Sequence, residues 1–363
     1  IIGWRLLKVQ KKAQFRYTGV VMMSWLLVML LFQIYPVRNL LLYYFTGDAN
    51  VYEEPAAWMI YLFWGGLAFS AQLIGWILLL DFVRLISVLS NKLKRSSLNR
   101  WHLAALGAVF MLVVCYTAIR MYFDTTEIRV ERKAIKVEEL PEALDGFIIV
   151  HISDVQADRF TGKEKMARYV AEINAQQPDL VLFSGDLVSW GETYIDDGAS
   201  SLSEIEANYG TYAVLGDHDY WAGSDTVISA LEDHGIPVLD NQNSRIDLGA
   251  DKGEIKITGI TQVYDRRIST TEFTRLLDTG QPSDLQILLS HQINERLIGQ
   301  LKARNYKLAL AGHTHGGQFA PALLFWPVSA PMMETEYVSG FYPSGDLLVN
   351  INNGLGFTLA PVR

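Results

Sequence analysis

Nine polar side chains fall directly behind five apolar runs of this 363-residue chain. FIIVHISDVQ carries Asp154 and Gln156; LVLFSGDLV carries Asp186; YAVLGDHDYW carries Asp217, His218 and Asp219; ILLSHQ carries His291; and LALAGHTHGGQ carries His313 and His315. Carboxylate, amide and imidazole groups offered together form a mixed oxygen and nitrogen ligand set, which suits borderline or hard divalent ions such as Mn2+, Fe2+ or Zn2+. The single cysteine, Cys115, lies in an apolar run, which excludes a cysteine-built metal site and any intrachain disulfide. Nine groups exceed the needs of one ion, whereas two ions about 3.5 to 4 Å apart and sharing a carboxylate would use most of them. Gly185, Gly216 and Gly312 precede three of the clusters, where glycine lets the backbone turn sharply and bring side chains inward.

The elements that must position these groups follow from the spacing of apolar residues. Runs 147–152, 180–183, 211–215, 286–289 and 307–311 are predicted strands, and segments 163–175, 224–234, 271–278 and 294–304 between them are helical in pattern. Strands alternating with helices over about 240 residues predict one layered α/β domain, in which sites form at the carboxyl ends of strands. Alternation at Ile128 and Val130, then at Ile135 and Val137, predicts a further strand-like stretch ahead of the first run. No internal repeat or low-complexity tract is present.

The ordered set resembles the calcineurin-like metallophosphoesterases, whose signature runs D-x-H, G-D, G-N-H-D/E, H, G-H-x-H. The stretch from LPEALDGFIIVHISD through GTYAVLGDHDYW, LLSHQ and LALAGHTHGGQ to NNGLGFTL is similar to the membrane-anchored branch, typified by bacterial exported phosphodiesterases and transmembrane metallophosphoesterase proteins. The resemblance covers residues 140–363 and implies a four-layer α/β domain, a two-sheet β-sandwich flanked by helices. It also implies that Asp154, Gln156, Asp186 and His315 hold one metal, with Asp186 bridging to a second held by Asp217, His291 and His313. His218 would contact the substrate phosphate and protonate the leaving oxygen, and Asp219 would orient that imidazole or keep it protonated. Two divalent ions would lower the pKa of an attacking water and neutralise the phosphoryl oxygens. Gln156 stands where the family usually has His, and Asp217 where it usually has Asn. Both changes move the ligand set toward oxygen, and therefore toward Mn2+ ahead of Zn2+. They are also what a site losing its metal would show, a reading opposed by the three remaining histidines and Asp186.

The first third of the chain has a different chemistry. Residues 1–120 carry 12 Lys and Arg against 4 Asp and Glu, while residues 121–363 carry 19 against 35. The acidic second part argues against a nucleic-acid partner, since phosphate backbones are bound through Lys and Arg. Uncharged runs of 21, 26 and 19 residues lie between Arg16 and Arg38, Glu54 and Asp81, and Arg100 and Arg120. Each can cross a bilayer core of about 30 Å. Residues 1–120 are therefore predicted to be a membrane domain with transmembrane helices at about 17–37, 56–80 and 101–119, and 121–363 the metallophosphoesterase domain. Lys and Arg concentrate before the first span and between the second and third, whereas the first loop carries Arg38 beside Asp48, Glu53 and Glu54. The positive-inside rule then makes this a multi-pass protein with an extracytoplasmic catalytic domain.

Taken together, these features predict a membrane-anchored phosphoesterase that hydrolyses a phosphodiester or pyrophosphate of a lipid headgroup. Two alternatives stay open on sequence alone: a UDP-diacylglucosamine-type pyrophosphatase with a cytoplasmic site, and a catalytically degenerate binding or signalling protein. His151 reads as a satisfied core histidine and His234 as a helix-terminus residue. Arg266 and Arg267 either meet a substrate phosphate or, the reading preferred, form a solvated pair. Trp190 and Trp221 line the cleft or fill the core, and Gly316 and Gly317 offer amides to an anion or simply close a turn. The apolar, proline-bearing stretch Phe319–Met333 is either a buried irregular loop or a segment whose Leu323, Leu324, Phe325 and Trp326 dip into the outer leaflet.

Overall fold

The computed structural model describes residues 33–46, 56–90, 95–138, 140–249, 253–281, 283–317, 322–323, 326–327 and 330–357. They fall into two compact units, one taking in residues 1–126, 319–328 and 359–363, the other 127–318 and 329–358.

In the first unit, α1 spans Ile34–Thr46, α2 Ala57–Leu89 and α3 Arg95–Thr126. Most of the first predicted span, 17–37, lies outside the described residues. Its end continues as α1 straight through Arg38, so the charge there does not break the helix. The second and third predicted spans correspond to α2 and α3, both long and apolar enough to cross a membrane. Each runs beyond its apolar run, α2 to Leu89 and α3 past Arg120 to Thr126. Polar pairs join the two helices: Gln72 Nε2 donates to Thr117 Oγ1 at 3.2 Å, Arg84 Nη2 to Asn99 Oδ1 at 2.7 Å, and His102 Nε2 lies 3.4 Å from Asp81 Oδ1. Such bonds fix the register of two helices whose remaining contacts are non-directional. Leu78, Leu79, Phe82, Met111 and Leu112 point outward, as expected of a surface whose solvent is lipid.

The second unit is four-layered, as the resemblance implies. Its elements are β1 (Ile149–Ile152), α4 (Lys163–Asn174), β2 (Leu180–Phe183), α5 (Ile195–Leu202), β3 (Thr211–Ala213), α6 (Asp217–Asp233), β4 (Gln242–Asp247), β5 (Glu254–Ile260), α7 (Thr270–Asp278), β6 (Leu285–Ser290), α8 (Glu295–Lys302) and β7 (Leu308–Ala311). The β10 (Gly340–Ser344) and β11 (Leu347–Ile351) hairpin follows. Strands β1, β2 and β3 form a parallel sheet; a six-stranded mixed sheet has the order β10-β11-β7-β6-β5-β4. Because side chains alternate along a strand, Leu180 and Leu182 of β2 enter the core shared with Ile255, Ile257, Ile287, Leu289 and Leu310 of the other sheet. Val181 and Phe183 pack with Met166, Ile195, Val227 and Leu231 of the outer helices. On the far side Leu288, Ala309 and Ala311 meet Phe273, Leu297, Ile298 and Leu301 of α7 and α8. A strand covered on both faces is apolar throughout, and this is why β2, β6 and β7 stand out in the sequence.

The alternating stretch 127–138 is not a strand. It pairs with no described strand, and Val130 and Ile135 are exposed. Within 319–333 the backbone forms the two-residue strands β8 (Ala322–Leu323) and β9 (Trp326–Pro327) in an antiparallel pair. The side chains of the predicted leaflet-dipping segment lie outside the described residues.

Candidate metal centre

The five predicted strand ends meet at the carboxyl edges of the two sheets. Asp154 and Gln156 follow β1, Asp186 follows β2, His291 follows β6, and His313 and His315 follow β7. Asp217, His218 and Asp219 occupy the first turn of α6, where the helix dipole favours carboxylates. Asp154, Gln156, Asp186, Asp217, Asp219, His291 and His315 are all buried. Two groups place their ligand atoms within 4.8 Å of one another: Asp217 with His291 and His313, and Asp154 with Asp186 and His291. His315 Nε2 lies 3.2 Å from Asp154 Oδ1. The structure thus brings together all seven residues expected to hold metal.

Backbone conformation aims several of them. Among the described residues eight non-glycines have positive φ, and five are Asp154 (49°), Gln156 (52°), Asp186 (60°), His313 (73°) and His315 (47°). Side chains rarely adopt this region, and residues that do so cluster at functional sites. Sheet-edge hydrogen bonds hold the conformation: Asp154 N to Gly185 O at 2.8 Å, Gln156 N to Asp186 O at 3.1 Å and Gly356 N to Asp154 O at 2.8 Å. The three glycines act differently from one another. Gly185 (φ +93°) does turn the chain. Gly216 and Gly312 are needed for close approach instead, since a Cβ at 312 would fall 1.7 Å from Ser153 Oγ. Gly317 N donates to Thr314 O, so that amide closes the turn.

Polar contacts from the surrounding loops hold the ligand side chains in place. His291 Nδ1 donates to Ser184 O at 2.8 Å, leaving Nε2 3.4 Å from both Asp186 Oδ2 and Asp217 Oδ2. Asp186 accepts the His218 backbone amide on Oδ1 and Gln156 Nε2 on Oδ2, each at 2.9 Å. Asp217 accepts Tyr264 N at 2.7 Å and Gln292 Nε2 at 2.9 Å, and its Oδ2 lies 2.9 Å from His313 Nδ1. Burial pulls the His291 imidazole down, but the carboxylates of Asp186 and Asp217 outweigh it and raise its pKa well above the usual value. His313 is raised against its burial in the same way by Asp217. Burial opposes ionisation of Asp186 and Asp217, yet the facing imidazoles hold both carboxyls well below the usual range.

These residues fit a pair of divalent cations. Asp154 Oδ1, Gln156 Oε1 and His291 Nε2 are buried and take no hydrogen bond among the described residues. Buried polar atoms are ordinarily satisfied, and unpaired atoms beside a cluster of carboxylates and imidazoles are what a cation would complete. Gln156 illustrates the fit, because its amide nitrogen is anchored on Asp186 while its oxygen, the atom able to ligate, is the bare one.

The expected acid–base residues behave unequally. His218 Nδ1 must carry hydrogen to donate to Ser189 O at 2.5 Å, which leaves Nε2 as the working nitrogen. The Asp219 carboxylate does not orient this imidazole. It accepts the backbone amides of Asp186 (2.8 Å), Leu187 (2.7 Å) and Gly216 (2.9 Å), tying α6 to the Asp186 loop. Burial and the Asp186 charge push its pKa up to about 7, against the pull of the Gly216 and Leu187 amides. Asp219 is therefore a brace. His151 is satisfied, with Asn350 Oδ1 at 2.6 Å and Ser184 Oγ at 2.9 Å, and His234 Nδ1 bonds Ala230 O at a helix end. Arg266 is ion-paired to Asp240 at 3.0 Å rather than solvated. Trp190 and Trp221 are half exposed, so they do not fill the core; the Trp221 ring lies 5.0 Å from His218. Sequence reasoning missed Tyr264 and Glu334, which touch ligands from loops that carry no motif, and Gln292, which ends the LLSHQ run beside His291 and donates to Asp217.

Residues 147–317 match the calcineurin-like phosphoesterase family, and the chain contains a calcineurin-like metallophosphoesterase domain. A metallophosphoesterase of Campylobacter jejuni described as uncharacterized is 28% identical over 76% of this chain and 71% of its own length. One from Bacillus subtilis, described likewise, is 29% identical over 67% and 83%. A Danio rerio protein named "transmembrane protein with metallophosphoesterase domain" is 27% identical over 63% of this chain; the chain spans about half of that relative, 53%. The fold is that of a metal-dependent phosphoesterase, a family with a dinuclear divalent-metal site.

Proposed function

We propose that this protein is a multi-pass membrane phosphoesterase that hydrolyses a phosphodiester or pyrophosphate of a lipid at the extracytoplasmic surface. The observation that carries the phosphoesterase reading is the convergence of Asp154, Asp186 and His291, and of Asp217, His291 and His313, with ligand atoms within 4.8 Å of one another in each group. Asp154, Gln156, Asp186 and His315 would hold one divalent cation, and Asp186, Asp217, His291 and His313 the other. Mn2+ suits their oxygen-rich donors best. Bound there, the cations supply Lewis-acid charge for the phosphoryl oxygens and a water of lowered pKa. His218, oriented through Nδ1, presents Nε2 to protonate the departing oxygen.

The lipid reading is supported by two apolar helices and by half-exposed aromatic rings beside the centre. Trp221 lies against His218, with Trp190 6.4 Å from it, and Tyr264 lies 5.2 Å from His313. The orientation is supported by the Lys and Arg that flank the apolar runs.

The test uses the purified full chain with Mn2+ against an aryl phosphodiester, phospholipids and isoprenoid phosphates, with Asp186→Ala as control. Hydrolysis of one lipid class that Asp186→Ala abolishes supports the proposal, and absence of any turnover overturns it. Protease protection in oriented vesicles tests topology, and protection of the domain on the cytoplasmic side overturns the extracytoplasmic assignment.

A further inference from the structure

The imidazole of His313 is held from its far side by a chain of two groups that no motif marks. Tyr264 Oη lies 2.5 Å from Glu334 Oε2 and 3.1 Å from His313 Nε2; Glu334 Oε2 is itself 3.4 Å from that nitrogen. An ionised carboxylate only accepts, so the phenol must donate its one hydrogen to Glu334. The phenol oxygen can then only accept from His313, which places a hydrogen of the ring on Nε2. Without a cation Nδ1 donates to Asp217 Oδ2 at 2.9 Å, and once that proton leaves, the lone pair falls on Nδ1, inside the centre. Tyr264 is fixed in turn from the same centre, because its backbone amide donates to Asp217 Oδ1 at 2.7 Å. Glu334 closes the circuit from the segment that follows the His315 turn.

We infer that Tyr264 and Glu334 are positioning residues that hold His313 in the tautomer and ring orientation needed to bind a divalent cation through Nδ1. The inference rests on the metal-centre reading above. Partners of this kind fix a ligating imidazole, and removing them typically weakens metal binding about 10- to 100-fold. Both residues are about half exposed, so conservative changes there spare the core.

The test is a titration of the metal-stripped full chain in detergent with Mn2+ alone, following the electron paramagnetic resonance signal of the free ion. Tyr264→Phe keeps the ring and removes the relay. It is expected to weaken one of two binding steps by about 10- to 100-fold and leave the other within about twofold. Glu334→Gln keeps an oxygen to accept the phenol and should stay near wild type, while Glu334→Ala should match Tyr264→Phe. Unchanged binding in Tyr264→Phe, or equal weakening of both steps, overturns the inference. If the wild-type chain binds two Mn2+ and Tyr264→Phe binds them equally well, the inference alone fails. If the wild-type chain binds none, the metal-centre reading fails with it.

Discussion

Gly216 lies against Asp186 so closely that a Cβ at position 216 would fall 2.1 Å from Asp186 Oδ1. The φ of Gly216 is -103°, open to any residue, so the requirement is one of space alone. Gly216→Ala must therefore displace the carboxylate that sits between the two ligand groups. Activity should fall at least about 100-fold, and the overpacking should cost roughly 1–3 kcal/mol of stability. Gly299→Ala is the matched control. It lies in α8 with nothing within 4 Å of the added carbon, and should stabilise the domain by roughly 0.5–1 kcal/mol with activity unchanged. Thermal unfolding and turnover of the two variants check both statements.

His218→Ala removes the only proton source expected at the leaving oxygen. Hydrolysis of a substrate with an alkoxide leaving group should slow about 10²- to 10⁴-fold. Release of a nitrophenolate, which needs no proton, should slow far less. Metal content should not change, because the residue contacts Asp186 through its backbone amide. Equal losses on both substrates would remove His218 from the general-acid role.

Asp219→Asn keeps the size of the brace but offers one acceptor oxygen to three backbone amides, and its NH2 group faces at least one of them. Leaving a buried donor unpaired costs about 1–3 kcal/mol, and a loss of that size should appear in denaturant unfolding. The pH–rate profile should keep its shape, since the carboxylate does not touch the His218 ring. A displaced acid limb would show that it does.

The pKa values of His291 and His313 are raised in the metal-free fold. A group raised on folding contributes stability that is complete below its ordinary pKa, about 6.5 for His, and is lost as pH rises through the elevated value. With a chelator present, the unfolding midpoint should therefore fall as pH climbs above 6.5. Metal binding needs the neutral imidazoles and releases their protons, so the gain in midpoint on adding Mn2+ should grow over the same range. Parallel curves with and without the ion would show that these histidines do not exchange a proton for a cation.

What could be read from the sequence depended on whether a strand is covered on both faces. LVLF, LLS and LALA are apolar because β2, β6 and β7 lie between layers, and their polar ends delivered four of the seven ligand candidates, Asp186, His291, His313 and His315. The edge strand β4, QNSRID, has a solvated face and a polar composition, so it carries no such signal. Its neighbour β5 hides Lys256, buried because Nζ donates to the carbonyls of Leu277 and Thr279 at the end of α7. Ile128 and Val130 showed the opposite failure, an alternating pattern with no sheet to join. In the site, Tyr264 and Glu334 were illegible because their role lies in a contact with His313 across 49 and 21 residues of chain.

The left-handed backbone at Asp154, Gln156 and Asp186 is held by amide-to-carbonyl bonds of the sheet edges, none of which involves a cation, while the His313 amide donates to Asp154 Oδ2. Three donors are thus pointed inward by the fold itself, and withdrawing the ions gives them no relaxed arrangement to drift toward. The domain should shed and regain its metals as a rigid socket does, quickly and without refolding, and a chain purified bare should be recoverable by simple dialysis.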